Sequence, residues 1–410
     1  MIYLVNGSAG TGKTSVISQF INGIPSDVKV CAAAPTHKAI SVIREKCRCT
    51  NKKTHYKTIH HLLRLTADYN TDGQTVFDTE DDLKYFHEYD VIFIDESSMI
   101  SQQMYQLLKR YSQDTNTQII FIGDSFQLPP IGEQMSKVFS TPDSSVLVEI
   151  VRAKSDVLME CYSRFRNYVA TNHIEIPREW NKSAGPVRRL NNAREFEKLI
   201  AGTFNAETDH VLAFSRAKVA HYNALIRKRL FNGTTQRFVA GEVLVFDNYC
   251  RLANGEGSWE SFHTSDQIVL ENVNIVTRFH DKFKQFFKVY ELVFLMKGCF
   301  TVYIIHEDDA KKYAKYYTAS KKELLELVKK ENWNPTSTEW GSYNFNKELF
   351  LCPLIYSYAQ TCHKSQGSTY ERVFVDVINI RSCAKDDPTT MRHCMYTAVM
   401  RASEHLTLLF

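Results

Sequence analysis

The sequence predicts an α/β protein built on two parallel sheets covered by helices, with a β-rich segment inserted into the second. Three observations carry this. Short, continuously apolar runs alternate with stretches of helical spacing, the pattern of strands buried on both faces. The alternation breaks at about residue 155 and then restarts. From about residue 238 to 352 helical spacing gives way to closely spaced β runs.

The elements follow in order. MIYLVNG (1–7) reads as a strand ending on Gly7, and TSVISQFI (14–21) as the helix after it. VKVCAAAPT (28–36), YDVIFIDE (89–96) and QIIFIGDS (118–125) supply three further strands. ADYNTDGQTVFDTEDD (67–82) is polar, carries a DG turn signal and reads as a hairpin leaving the sheet. The second unit opens with a helix (155–170), the strand HVLAFS (210–215) and a helix (217–231). EVLVF, DQIVL, YELVFLM and CFTVYII are the short β runs of the insert, expected to form a small barrel. The charged helical stretch 308–331 within it reads as a solvated arm. PLIYSYA (353–359), VFVDV (373–377) and HLTLLF (405–410) complete the second sheet.

The chain has 410 residues, 44% hydrophobic and 23% charged, enough for about two to three globular domains. Its formal net charge of +4 is compatible with nucleic acid but far from a histone-like binder. Ten cysteines contain no CxxC pair, so structural thiols are expected rather than zinc ligands. No apolar run reaches membrane-spanning length and no signal core is present, so an intracellular, cytoplasmic protein is expected.

GSAGTGKT (7–14) fits the phosphate-loop pattern between a strand and a helix. Gly7, Ser8, Ala9, Gly10, Thr11 and Gly12 curl backbone N–H groups around phosphate oxygens, because glycines let the chain approach without Cβ clashes. Lys13 would neutralise the terminal phosphates of ATP and Thr14 offer its hydroxyl to Mg²⁺. IDES (94–97) ends a strand on two carboxylates: Asp95 would hold Mg²⁺, Glu96 orient and deprotonate the attacking water. In GDSFQLPP (123–130), Gln127 is placed to reach the γ-phosphate.

With these elements the chain resembles the superfamily 1 helicases, and QLPP after GD points to their RecD-like, 5'-to-3' branch (1B). AAAPTHKA (32–39) resembles motif Ia, KTIHHLL (57–63) motif Ib and LVEIVRA (147–153) motif IV. FVAGEVLVF (238–246) resembles the entry to the inserted domain, TCHKSQGSTY (361–370) motif V and MYTAVMRA (395–402) motif VI. The motif order is most similar to the Dda-like helicases of phage.

The resemblance implies two tandem RecA-like motor domains. These would be 1–65 with 88–155, carrying a pin at 66–87, and 156–237 with 353–410, carrying an SH3-like β-rich domain with a helical arm at 238–352. It implies that Arg152 and Arg401 meet the γ-phosphate and that Gly367 lies at the nucleotide. Single-stranded DNA would be gripped by Pro35, Thr36, His37, Thr58 and His60, and by Thr361, His363, Lys364, Ser365 and Gln366. Phe77 would stack at the fork of forked DNA. A monomeric motor working beside a single-strand-binding protein is implied, in the host cytoplasm if the source is viral. RNA as substrate, or an accessory binding subunit with weak ATPase, are the alternatives.

Three positions depart from the family pattern. Gly7 stands only seven residues in, ahead of which the family carries a helix and a glutamine that reads adenine, so use of other nucleoside triphosphates or loss of an N-terminal segment is expected. Met400 replaces Thr or Ser, and Cys362 replaces Ile or Phe; neither removes a charge the chemistry needs.

Overall fold

The computed structural model describes residues 1–8, 10–47, 54–69, 75–78, 89–147, 155–181, 185–264, 266–296, 298–331 and 337–410. The chain runs β1 (Ile2–Gly7), α1 (Lys13–Gly23), β2 (Val30–Ala34), α2 (His37–Lys46), β3 (His55–Thr58) and α3 (Ile59–Leu62). A hairpin of β4 (Thr66–Tyr69) and β5 (Thr75–Asp78) follows, with Ala67 opposite Phe77. Then come β6 (Val91–Ile94), α4 (Gln102–Thr115), β7 (Gln118–Gly123), β8 (Ser144–Leu147) and α5 (Asp156–Thr171). The second lobe continues with β9 (Val187–Leu190), α6 (Ala193–Thr203), β10 (Asp209–Ala213) and α7 (Arg216–Leu230). The insert holds β11 (Val243–Phe246), β12 (Cys250–Ala253), β13 (Trp259–Phe262), β14 (Gln267–His280), β15 (Gln285–Leu295), β16 (Cys299–Ile305), α8 (Glu307–Glu331), α9 (Ser337–Glu348) and β17 (Leu354–Tyr356). The chain closes with β18 (Ala359–Thr361), β19 (Tyr370–Asp376), α10 (Val377–Cys383), α11 (Pro388–Val399) and β20 (Ala402–Leu409).

By contacts the chain divides into two compact units: Met1–Leu63 with Asp81–Thr234 and Tyr358–Phe410, and Arg64–Glu80 with Thr235–Ser357. The first unit contains both parallel sheets, ordered β3-β2-β6-β7-β1-β8 and β18-β10-β19-β20-β9. Every pairing in them is parallel. β2 is buried along its whole length, its three alanines letting helices approach closely. Ile17, Ile21, Ile40 and Ile43 pack on it from α1 and α2. In the second lobe Leu158, Tyr162 and Phe165 of α5 share a core with Tyr396 and Val399 of α11. Side-chain caps fix the helix starts that matter: Thr36 on α2, Ser155 on α5 and Asp387 on α11 each accept a backbone N–H in the first turn.

The first sheet is wider than the four predicted strands, gaining His55–Thr58 and the edge strand Ser144–Leu147. The second unit pairs the hairpin Arg64–Glu80 with the insert, where α9 touches β4. The insert's main sheet is antiparallel, ordered β16-β15-β14-β11-β17, beside the ribbon β12-β13. The charged segment is a helix as expected but only partly solvated: Tyr313 is buried against Phe287 and Phe350. α9 was not legible, its sequence STEWGSYNFNKE carrying no continuous apolar stripe.

Candidate functional site

The phosphate loop leaves β1 through Gly7, where a Cβ would stand 2.7 Å from Thr11 Oγ1 and 2.9 Å from Leu147 Cβ. No other residue fits there without moving the loop. Gly10 and Gly12 take φ of 88° and 75°, the left-handed region, and so turn the loop into α1. Thr11 Oγ1 donates to Ser8 O at 2.8 Å and closes it. Lys13 folds back, its Nζ donating to the carbonyls of Gly7 at 2.8 Å and Ser8 at 2.9 Å. Ala9 lies outside the described residues.

Thr14 Oγ1 donates to Asp95 Oδ2 at 3.3 Å, bringing together the two residues expected at Mg²⁺. Asp95 is buried, and Oδ1 accepts the Glu96 N–H at 2.8 Å. Burial first, then the neighbouring Glu96 carboxylate, push Asp95 up to about 6, against the pull of Lys13 and Thr14. Glu96 itself is held at φ 52°, a conformation costly for a non-glycine residue, which presents its carboxylate to the cavity.

These groups line a cavity of about 260 Å³ together with Gln127, Gly367 and Arg401. Arg401 is buried, its Nε donating to Thr397 O at 2.9 Å and an Nη to Ser368 O at 3.1 Å. Gln127 Oε1 is buried with no hydrogen-bond partner among the described residues. A cradle of backbone amides, an ammonium, a guanidinium, two carboxylates and an orphaned amide oxygen is the donor set of a nucleoside triphosphate with Mg²⁺, and the site fits both. Arg152 lies outside the described residues.

The loop after β7 is tied to the second lobe throughout. Tyr396 Oη donates to Asp124 Oδ2 at 2.8 Å, and His393 Nδ1–H to the carbonyls of Phe126 and Gln127 at 2.9 Å. The Leu128 N–H donates to Thr397 Oγ1 at 3.0 Å, and Gln366 Nε2 to Leu128 O at 3.2 Å. Sequence reasoning missed these α11 partners, and also Ala39, Val42 and Lys46, which line the cavity. Their spacing along α2, at i, i+3 and i+7, was the available signal.

The residues expected on a single strand fall in two groups. Pro35, Thr36 and His37 are half-buried at the start of α2, Thr36 Oγ1 accepting the Ala39 N–H at 3.2 Å. Thr58 is buried and caps α3, while burial pulls the nearby half-buried His60 below its ordinary value. In the second lobe Thr361, His363 and Lys364 are half-buried, His363 edge-on to Phe214. Ser365 and Gln366 are employed otherwise than expected. Ser365 is fully buried, its Oγ donating to Cys362 O at 2.7 Å, and Gln366 joins the lobes. Cys362 finds its explanation in the same turn: it is buried in the core with Sγ donating to Ala213 O at 3.3 Å. Phe77 is on β5, but its side chain lies outside the described residues.

Two parallel-sheet lobes that bring a phosphate loop and an arginine to one cavity define a nucleotide-hydrolysing motor. An AAA domain matches residues 1–133 and a UvrD-like helicase C-terminal domain residues 356–409. An uncharacterized protein of Acanthamoeba polyphaga mimivirus is 28% identical over 99% of this chain and 94% of its own length. RecBCD enzyme subunit RecD of Buchnera aphidicola is 24% identical over 56% of this chain, which spans 41% of that subunit. The Pif1 helicase from Bacteroides, solved with ADP-AlF3 and ssDNA, shares the fold at TM-score 0.50 and 14% identity, covering 99% of this chain and 88% of that one. The two domain matches, with the similarity to RecD, support a superfamily 1 (1B-like) helicase and a nucleic-acid-dependent ATPase. Among the described residues no helix is long and apolar enough to cross a membrane.

Proposed function

We propose that the chain is an ATP-dependent, Mg²⁺-dependent helicase that moves 5'-to-3' along single-stranded DNA and opens duplex ahead of it. The observation that carries this reading is the convergence of Lys13, Glu96 and Gln127 from the first lobe with Arg401 from the second on one cavity. Such a cavity makes closure of the lobes depend on bound nucleotide.

Each group has a task. Lys13 exchanges its carbonyl partners for phosphate oxygens, and Glu96 accepts the proton of the attacking water. Gln127 Oε1 orients that water, and Arg401 stabilises charge developing on the transferred phosphoryl. Mg²⁺ held by Thr14 and Asp95 would supply charge neutralisation between the phosphates. Loss of the terminal phosphate removes the anion between Lys13 and Arg401, and the lobes part.

Thr36 and His37 on one lobe, with Thr361, His363 and Lys364 on the other, would hold the strand alternately, their donors suited to phosphates and their rings to bases. That Bacteroides Pif1 is known with single-stranded DNA supports DNA as the track. One chain supplies Lys13, Glu96, Gln127 and Arg401 to the nucleotide cavity, which supports a monomer as the working unit. The test is unwinding of forked duplexes bearing a 5' or a 3' single-stranded tail, with matching RNA forks in parallel. Activity confined to 3' tails would overturn the polarity, and activity confined to RNA the substrate.

A further inference from the structure

Lys38, the residue after the expected strand contacts Pro35, Thr36 and His37, belongs to neither the nucleotide site nor the strand interface described above. It is half-buried on the first turn of α2, and its ammonium lies over the ring of Tyr370 in the second lobe, 5.8 Å from the centroid. The Tyr370 ring also stacks flat on His210, with centroids 4.1 Å apart and planes 5° from parallel. The Tyr370 N–H donates to the carbonyl of Arg401 at 2.8 Å, so the position of this tyrosine fixes the backbone that carries the arginine of the nucleotide cavity. One turn of helix thus joins the proposed strand grip to that arginine in four residues and one hydrogen bond.

Resting on the proposed DNA-dependent ATPase, we propose that Lys38 is a positioning residue that couples strand occupancy at Pro35–His37 to the placement of Arg401, acting through the face of Tyr370. A half-buried cation held to an aromatic face resists separation from the ring. A shift of the α2 N-terminus on strand binding therefore pulls on Tyr370, and with it the Arg401 backbone. Burial, then the nearby Arg401 charge, pull the Lys38 ammonium below its ordinary value, which agrees with its seat beside that guanidinium.

The experiment is steady-state ATP hydrolysis by the full chain, with and without a poly-dT oligonucleotide, together with oligonucleotide affinity by fluorescence anisotropy. Lys38→Met should keep DNA-free kcat, the KM for ATP and strand affinity within about threefold. Its DNA-stimulated kcat should fall at least about tenfold. Lys38→Arg should restore most of the stimulation, because a guanidinium also seats on an aromatic face. Tyr370→Phe, which keeps the ring, should behave as wild type, and Tyr370→Ala as Lys38→Met. Full stimulation in Lys38→Met overturns the inference, as does a tenfold loss of strand affinity, which would make Lys38 a direct phosphate contact. Absence of stimulation in the wild type instead overturns the helicase reading on which the inference rests.

Discussion

The loops at 7–14 and 361–367 look alike in sequence, each a polar stretch between apolar runs at the C-terminal end of a parallel strand. They spend their polarity differently. In the first, Lys13 donates to the carbonyls of Gly7 and Ser8, partners that phosphate oxygens can replace, and lines the cavity. In the second, Ser365 is sealed against Cys362 O, Cys362 bonds Ala213 O, and Gln366 reaches Leu128 O in the other lobe. Lys13 of the first loop turns its donors to carbonyls at the rim of the cavity, whereas Ser365 and Gln366 of the second spend theirs on fixing the turn and the interface between lobes. Polar residues between buried strands thus mark a constrained loop, and only burial tells ligand from lobe as the partner.

The comparison is broken most directly at Lys13. Lys13→Ala removes the charge and should lower ATP hydrolysis by at least about a thousandfold while leaving the melting temperature within a few degrees, because its present bonds are exchangeable. A collapse of thermal stability in differential scanning fluorimetry would show that the lysine holds the fold instead. Next is Arg401→Lys, which keeps charge but loses the planar fork now spanning Thr397 O and Ser368 O. Stimulated kcat should fall by roughly a hundredfold with KM for ATP changed far less, as expected for a group that acts on the transition state. An equal change in KM would make Arg401 a ground-state anchor.

The first loop was legible because every feature it needs is local: glycines for positive φ at 10 and 12, a strand before and a helix after. Asp95, Glu96 and Gln127 were legible for the same reason, each following an apolar run. What could not be read directly are the partners that the lobes exchange. Tyr396–Asp124, Thr397–Leu128 and Gln366–Leu128 join residues 272, 269 and 238 positions apart, and no local pattern records such a pairing. Arg401 was reached only through resemblance, since a lone arginine after a helix carries no signal of its own. Ser365 shows the opposite failure: its residue type suits a phosphate contact, and only its burial shows that the hydroxyl is already spent.

Ser365→Ala sharpens this point. Removing the buried hydroxyl takes the 2.7 Å donor from the Cys362 carbonyl and leaves it the Ser365 backbone N–H at 3.2 Å, so it should cost about 1 kcal/mol of stability in urea unfolding with strand affinity unchanged. A variant of wild-type stability that has lost strand affinity would return Ser365 to the DNA interface and erase the contrast between the loops.

The smallest effect concerns the strand that supports the second loop. His210 on β10, buried under the Tyr370 ring, has an Nε2 with no hydrogen-bond partner among the described residues. Burial first, then the nearby Lys38 ammonium, bring it from an ordinary 6.5 down to about 3. The folded value lies below the unfolded one, so the unfolded chain takes up the proton first as pH falls. The residue therefore costs nothing above about pH 6.5 and destabilises the fold progressively from there toward about pH 3. Between pH 7.5 and 5.5 the wild type should lose about 1.4 kcal/mol from this one group. His210→Phe keeps a ring against Tyr370 but cannot titrate, so its urea stability over the same interval should decline by that much less. Parallel pH profiles for the two proteins would mean that the imidazole is hydrated or paired when the second lobe carries its proton, and that the floor beneath the second loop is less dry than its burial indicates.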